Sequence, residues 1–236
     1  MDWSSRIYTP PFETARRDLL EAVEAFKRWA VDWKLELLPD KPSGEWETSY
    51  LHWPALNTAV IKLLQASPPD RWDPPVVQAL LYALARDNEE GWLKNDLLDS
   101  PTHLIALAHA GVSYDDPDAK WQLADALGSP HVSDDQAEPL LDRFVHDDDE
   151  YVSRIALLAL GARRSPKAEQ LAVRAWTTGH EHQRIVALSV LFDICSPLLP
   201  AYLGLSRLSS QEYVRARALE IEGWLQERQN PCPPTE

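Results

Sequence analysis

The stretch Glu150-Tyr151-Val152-Ser153-Arg154-Ile155-Ala156-Leu157-Leu158-Ala159-Leu160-Gly161 decides the fold, because it recurs along the chain. From Ala119 the chain reads Ala-Lys-Trp-Gln-Leu-Ala-Asp-Ala-Leu-Gly, and from Val214 it reads Val-Arg-Ala-Arg-Ala-Leu-Glu-Ile-Glu-Gly. Weaker copies start at Val76 and His182, so successive copies stand 43, 33, 30 and 32 residues apart. The flank recurs too, Glu150-Tyr151-Val152 returning as Glu212-Tyr213-Val214. Each copy sets apolar residues at helical spacing, as with Val152, Ile155, Ala156, Ala159 and Leu160. A second helical segment lies between copies, for example Ala168 to Thr177, with Leu171, Ala172, Ala175 and Trp176 as its stripe. Turn residues separate the segments at Ser165-Pro166, Gly179, Ser196-Pro197 and Ser209-Ser210. The unit is therefore a helical hairpin of about 30 residues. Neither helix can bury its stripe alone, and stacking neighbouring hairpins solves that problem.

The pattern Asp-Asp-x-x-Tyr-Val-x-Arg-x-Ala-Leu-x-Ala-Leu-Gly resembles short bacterial HEAT-type repeats, over roughly residues 74 to 228. That resemblance implies an all-α, right-handed α-solenoid of HEAT-like helical hairpins, and it says little about activity. The first third fits an N-terminal helical cap over residues 1–73. Phe12 to Leu38 reads as one long amphipathic helix, with Leu19, Leu20, Val23, Phe26, Ala30 and Trp33 inward. Pro39 to Glu47 reads as a loop and Pro54 to Leu64 as a helix begun by its proline. Pro68-Pro69 and Pro74-Pro75 bracket a rigid connection, and residues 229–236 read as a frayed tail. We expect a single domain over 1–236.

Composition is that of a globular chain, with 44% apolar and 25% charged residues in 236. Its charge is less ordinary: 37 acidic against 23 basic side chains leave a formal −14. Residues 1–150 hold 29 acidic and 13 basic side chains, whereas residues 151–228 hold 7 acidic and 10 basic. That balance disfavours phosphate backbones and anionic lipid and favours a cationic partner, such as a basic protein surface. Two cysteines, Cys195 and Cys232, are too few for a disulfide framework or a Cys-rich zinc site. Met1 to Arg6 lead into no apolar core, and the run Ile155 to Ala162 is too short to cross a bilayer. A cytoplasmic protein without a membrane segment is expected.

The carboxylates gather at Asp115/Asp116/Asp118, at Asp134/Asp135/Glu138 and at Asp147/Asp148/Asp149/Glu150, each just before or at the start of a helix. Capping of orphan N–H groups explains one carboxylate per helix, and the others are free to form an acidic ridge. Neither the Asp147-Asp148-Asp149 run nor the seven histidines have metal-ligand spacing, and neither a phosphate loop nor a nucleophile elbow is present. No metal and no cofactor is expected.

One constellation is similar to the HEAT-repeat alkylpurine DNA glycosylases: Trp121 and Asp125 four residues apart, Arg154 one repeat later, and Leu141-Asp142-Arg143-Phe144 between them. The resemblance implies that Trp121 would stack on a nucleotide, Asp125 would be the catalytic carboxylate and Arg154 would hold a phosphate. That family's second aromatic would fall near Ser189, where this chain has serine, and its basic N-terminal stretch has no counterpart here. Arg154 and Arg184 read instead as an inter-repeat Arg–Asp ladder. The competing reading is a non-enzymatic protein-binding module. Ten tryptophans, among them Trp46, Trp53, Trp72, Trp92, Trp121 and Trp176, offer anchors for a partner. In acidic character the chain resembles bacterial immunity proteins, which mask a basic toxin or nuclease. On this reading the contact residues are Asp116, Asp118, Trp121, Asp125, Asp135, Asp147, Asp148, Asp149, Tyr151 and Arg154. Nucleic acid is the alternative partner, and the oligomeric state is not set by the sequence.

Overall fold

A computed structural model describes residues 11–36, 46–87 and 89–227, with the side chains of 33–36 excepted. Four readings therefore lie outside the described residues: the Met1–Arg6 start, the inward Trp33, most of the Pro39 loop, and the 229–236 tail. The regular elements of the described residues are all helices, joined by turns, and include no strand. Packing divides the chain into two compact units, Met1–Ala126 and Leu127–Glu236. The first therefore groups the expected cap with the first repeats.

In the first unit, α1 (Phe12–Glu36) packs on α2 (Trp53–Ala66) and on α3 (Pro74–Arg86). Its inward stripe is Leu19, Val23, Phe26 and Ala30, all buried as the 3.6-residue period predicts. Phe26 is fully buried and forms the hub of an aromatic core, with ring centroids 4.6 Å from Tyr50, 5.1 Å from Trp53 and 5.4 Å from Trp29. Trp29 and Trp46 stack at 5.7 Å. Such offset and edge contacts each add about 0.5–1.5 kcal/mol beyond area burial. Trp29, Trp46 and Trp53 thus pack into this cluster while each stays half-buried. Trp46 begins a short 3-10 helix, Trp46–Ser49, whose first two residues were expected to end a loop. A second 3-10 turn, Pro69–Arg71, is the proline-bracketed connection into α3. Asp73 begins α3, accepting the Val76 N–H at 3.2 Å while Arg16 of α1 donates to it at 2.5 and 2.9 Å. That guanidinium holds the Asp73 carboxyl below the usual range. Helices α4 (Trp92–Leu98), α5 (Pro101–Gly111) and α6 (Pro117–Leu127) follow. The short α4 was not anticipated, and it accounts for the long first interval of 43 residues between copies.

The second unit is a run of hairpins: α7 (Asp134–Phe144) with α8 (Glu150–Ala162), α9 (Ala168–Thr177) with α10 (Glu181–Asp193), and α11 (Leu199–Arg207) with α12 (Glu212–Glu227). The sequence-based span of α9 is the observed one. Helix α10 packs against α8, α9, α11 and α12. Accordingly the seven consecutive residues from Val186 to Phe192, which span nearly two turns and so point around the whole helix, are all buried. The turns leaving α8 and α10 are copies of one another. Arg164 (φ 53°) and Cys195 (φ 57°) take the left-handed conformation. Ser165 then donates to the Leu160 carbonyl at 3.0 Å and Ser196 to that of Leu191 at 2.8 Å. This six-to-one closure satisfies orphan carbonyls, and Pro166 and Pro197 bar further helix.

Arg163 secures the entry to α7. Its side chain, 5% exposed, donates to the carbonyls of Leu127, Ser129 and Val132 at 2.6–2.9 Å and to Asp134 at 2.5 Å. Gly161 lets α8 approach α10, since a β-carbon there would lie 2.9 Å from Val190 Cγ2. Replacing it with valine should cost about 1–3 kcal/mol by overpacking, measured by urea unfolding. Unchanged stability would contradict the close approach.

Candidate functional site

The carboxylates expected to face a partner divide into those engaged within the fold and those that are not. In the first unit, Arg86 at the end of α3 gathers several of them. Its Nη1 donates to Glu47 Oε1 at 3.1 Å, its Nη2 donates to Asp116 Oδ2, and Asp118 Oδ2 lies 3.9 Å away. Asp116 Oδ1 also accepts the Asp118 backbone N–H at 3.0 Å, which shapes the entry to α6. Trp121, half-buried, donates its indole N–H to Asp118 Oδ1 at 3.3 Å. Lys94 of α4 lies 5.8 Å from the Trp121 ring centroid and donates to Asp125 Oδ2 at 2.8 Å. The structure therefore joins Asp116, Asp118, Trp121 and Asp125 through two internal cations. Asp125 is 52% exposed, and its charge is held by Lys94.

Asp135, Asp147, Asp148, Asp149, Tyr151 and Arg154 belong to the second unit. Asp149 caps α8, accepting the N–H groups of Tyr151 at 2.9 Å and Val152 at 3.1 Å. Asp147 accepts the Asp149 N–H at 3.0 Å. Asp148 and Asp135 are exposed, at the start of α8 and in the first turn of α7. Asp147 and Asp148 line a groove of about 350 Å³ with His146, Leu157, Arg174 and Gln183. Arg154 pairs with Glu150 on its own helix at 3.2 Å and lies 4.8 Å from the Tyr151 ring centroid. The expected Arg–Asp ladder takes a different form. Arg184 lies 5.2 Å from the Trp176 ring centroid and reaches the next repeat by donating to Gln211 Oε1 at 2.9 Å. A neutral amide does there what a carboxylate was expected to do, and Gln211 also donates to the Gly179 carbonyl at 2.9 Å.

One feature of the first unit escaped the sequence reading. A cavity of about 150 Å³ beside α4 is lined by Glu47, Trp53, Arg86, Asp87, Glu90 and Trp92 among others. Trp53 and Trp92 were recognised as candidate aromatics, but the carboxylates that meet them come from separate segments. Glu47 and Asp87 are buried, at 5% and 4% exposure. Asp87 ends α3 and organises the following turn, accepting the Leu93 N–H at 2.7 Å. Gly91, at φ 65°, supplies the left-handed residue that lets α4 start there. The local signal was an aspartate followed four residues later by Gly-Trp. Burial pushes the Asp87 carboxyl up to about 6, against the opposing effect of its backbone donors.

Residues 101–192 match the family described as HEAT repeats. The chain carries HEAT-like repeats. No curated protein gives a sequence match to it. HEAT-like repeats form a protein-interaction module, since stacked hairpins offer long helical surfaces to protein partners. Among the described residues no helix is long and apolar enough to cross a membrane, and no three His, Cys, Asp or Glu side chains are grouped to hold a metal ion.

Two consequences are measurable. Replacing Asp149 with alanine removes the cap of a HEAT-like repeat and should cost about 1 kcal/mol in chemical denaturation. For Asp87, a pKa above the unfolded value means that the folded chain binds this proton more tightly, so its contribution to stability falls as pH rises from about 4 to about 6. The stability of Asp87→Asn relative to wild type should therefore rise across that window, by about 3 kcal/mol at most. A difference independent of pH would contradict the burial of an ionising carboxyl.

Proposed function

We propose that the chain is a non-enzymatic protein-binding module for a basic protein partner. In its most specific form it is a cytoplasmic bacterial immunity or inhibitor protein that neutralises a basic toxin or nuclease by occlusion. The observation that supports this reading is the surplus of carboxylate. Asp149 and Asp147 suffice to order the start of α8 and Arg163 takes Asp134 at the start of α7, yet Asp148 and Asp135 stand exposed beside them. With a net charge of −14, these groups steer and hold a cationic surface. The contact set is centred on Asp135, Asp147, Asp148 and Tyr151, the last 41% exposed. Asp116, Asp118, Trp121 and Asp125 of the first unit and Arg154 of the second belong to the proposed set as members held partly by internal pairs.

The glycosylase-like alternative requires Asp125 to stabilise a developing cation on a sugar. Lys94, 2.8 Å from that carboxylate, competes for the same charge. The binding reading makes no such demand.

Capture by the intact chain at low ionic strength should retain a protein of high isoelectric point in stoichiometric amount, released by moderate salt. With that protein purified, Asp135→Lys combined with Asp148→Lys should weaken the Kd about tenfold or more. Affinity indifferent to both salt and charge reversal, or preferential retention of duplex DNA, would overturn the reading.

A further inference from the structure

The cavity beside α4 combines three properties that seldom coincide in a purely structural void. It is strongly acidic: Glu47, Asp87, Glu89 and Glu90 line it against one cation, Arg86. Arg86 pairs with Glu47 within the lining and with Asp116 outside it, so the lining keeps a net negative charge carried by the other carboxylates. The cavity also has two indole walls. Trp53 is fixed by its N–H, which donates to the Glu47 carbonyl at 2.8 Å. Trp92 begins α4 and is 43% exposed, more than the half-buried tryptophans among the other described residues. Finally, the carboxylates sit at two depths, with Glu47 and Asp87 buried and Glu89 and Glu90 exposed.

We propose that this cavity receives one arginine side chain of a protein partner, with its guanidinium against Trp92 and Trp53 and facing the carboxylates of Glu47, Asp87 and Glu90. The chemistry selects the occupant. An anion would meet net negative charge, and a neutral apolar group would leave two buried carboxylates further desolvated. A cation gains both from the ring faces and from the carboxylates. Among cations, guanidinium is planar and weakly hydrated, stacks on indoles and forks onto carboxylates, whereas ammonium is compact and strongly hydrated. Size agrees as well, since a cavity of about 150 Å³ is of the order that holds one benzene-sized group. The site therefore takes one side-chain head group rather than a folded peptide. This inference rests on the protein-binding reading only for the source of the arginine, since the cavity lies wholly within the first unit.

The test titrates the intact chain with N-acetyl-arginine amide, following the indole N–H resonances by nuclear magnetic resonance. Saturable shifts at Trp92 and Trp53 are expected, with a Kd in the millimolar range for so small a ligand. N-acetyl-citrulline amide, which has nearly the same shape and no charge, should give none, and the lysine analogue should bind several-fold more weakly. Trp92→Ala and Glu90→Gln should each weaken the arginine analogue at least fivefold, and the exposed Glu90 change leaves the fold intact if α4 depends on Trp92. Non-saturable shifts, equal binding of citrulline or lysine, or indifference to both variants would overturn the proposal. Asp135→Lys with Asp148→Lys alters only the second unit and should leave this titration unchanged. Loss of partner capture in that variant with the arginine site intact, or the converse, tells which of the two readings has failed.

Discussion

A helix of about a dozen residues cannot hide its own apolar stripe, and the second unit follows from that constraint. Helix α10 is the clearest case, with buried residues around its whole circumference and neighbours on every side. Burial of each Leu or Val there contributes about 1.5–3 kcal/mol, far more than helix propensity. The close approach at Gly161 and the paired turns after α8 and α10 serve that contact. The turns repeat because the packing repeats. A left-handed residue followed by Ser-Pro ends each central helix at the point where the chain must reverse. In the first unit an aromatic hub at Phe26 joins a core otherwise rich in buried leucine, such as Leu63, Leu80 and Leu84.

Once packing has fixed the helix ends, it also determines where charge must lie. Helix starts need acceptors for free N–H groups, and aspartates before α3 and α8 supply them. Arginines largely covered at helix ends need acceptors too. Arg163 finds three carbonyls and Asp134, and Arg86 finds Glu47 and Asp116. These needs absorb only part of the acidic complement. The exposed remainder adds self-repulsion, and the proposed reading gives it a cationic partner to meet.

Much of the fold was legible because period and punctuation are local. The copies starting at Val76, Ala119, Val152, His182 and Val214 are the helices α3, α6, α8, α10 and α12, and α9 has the bounds that its stripe and flanking turns indicate. Helix α4 was not legible, since seven residues hold too few apolar positions to show a period, although the over-long interval was its trace. The Arg184 contact was misjudged in kind: its next-repeat acceptor is the amide of Gln211, a residue that no charge pattern marks. Trp121 and Asp125 share a helix face as their spacing indicates, yet their engagement by Lys94 depends on where α4 lies. The acidic cavity was illegible for the same reason. Glu47, Asp87 and Trp92 come from three separate segments, and only the tertiary fold assembles them.

The central proposal is that this chain takes a positively charged protein partner. It is tested most directly by fluorescence anisotropy of two labelled probes against the intact chain at the same ionic strength: an arginine-rich peptide and a DNA duplex. The account predicts saturable, salt-sensitive binding of the peptide and no binding of the duplex. Saturable binding of the duplex, with the peptide unbound, would contradict it.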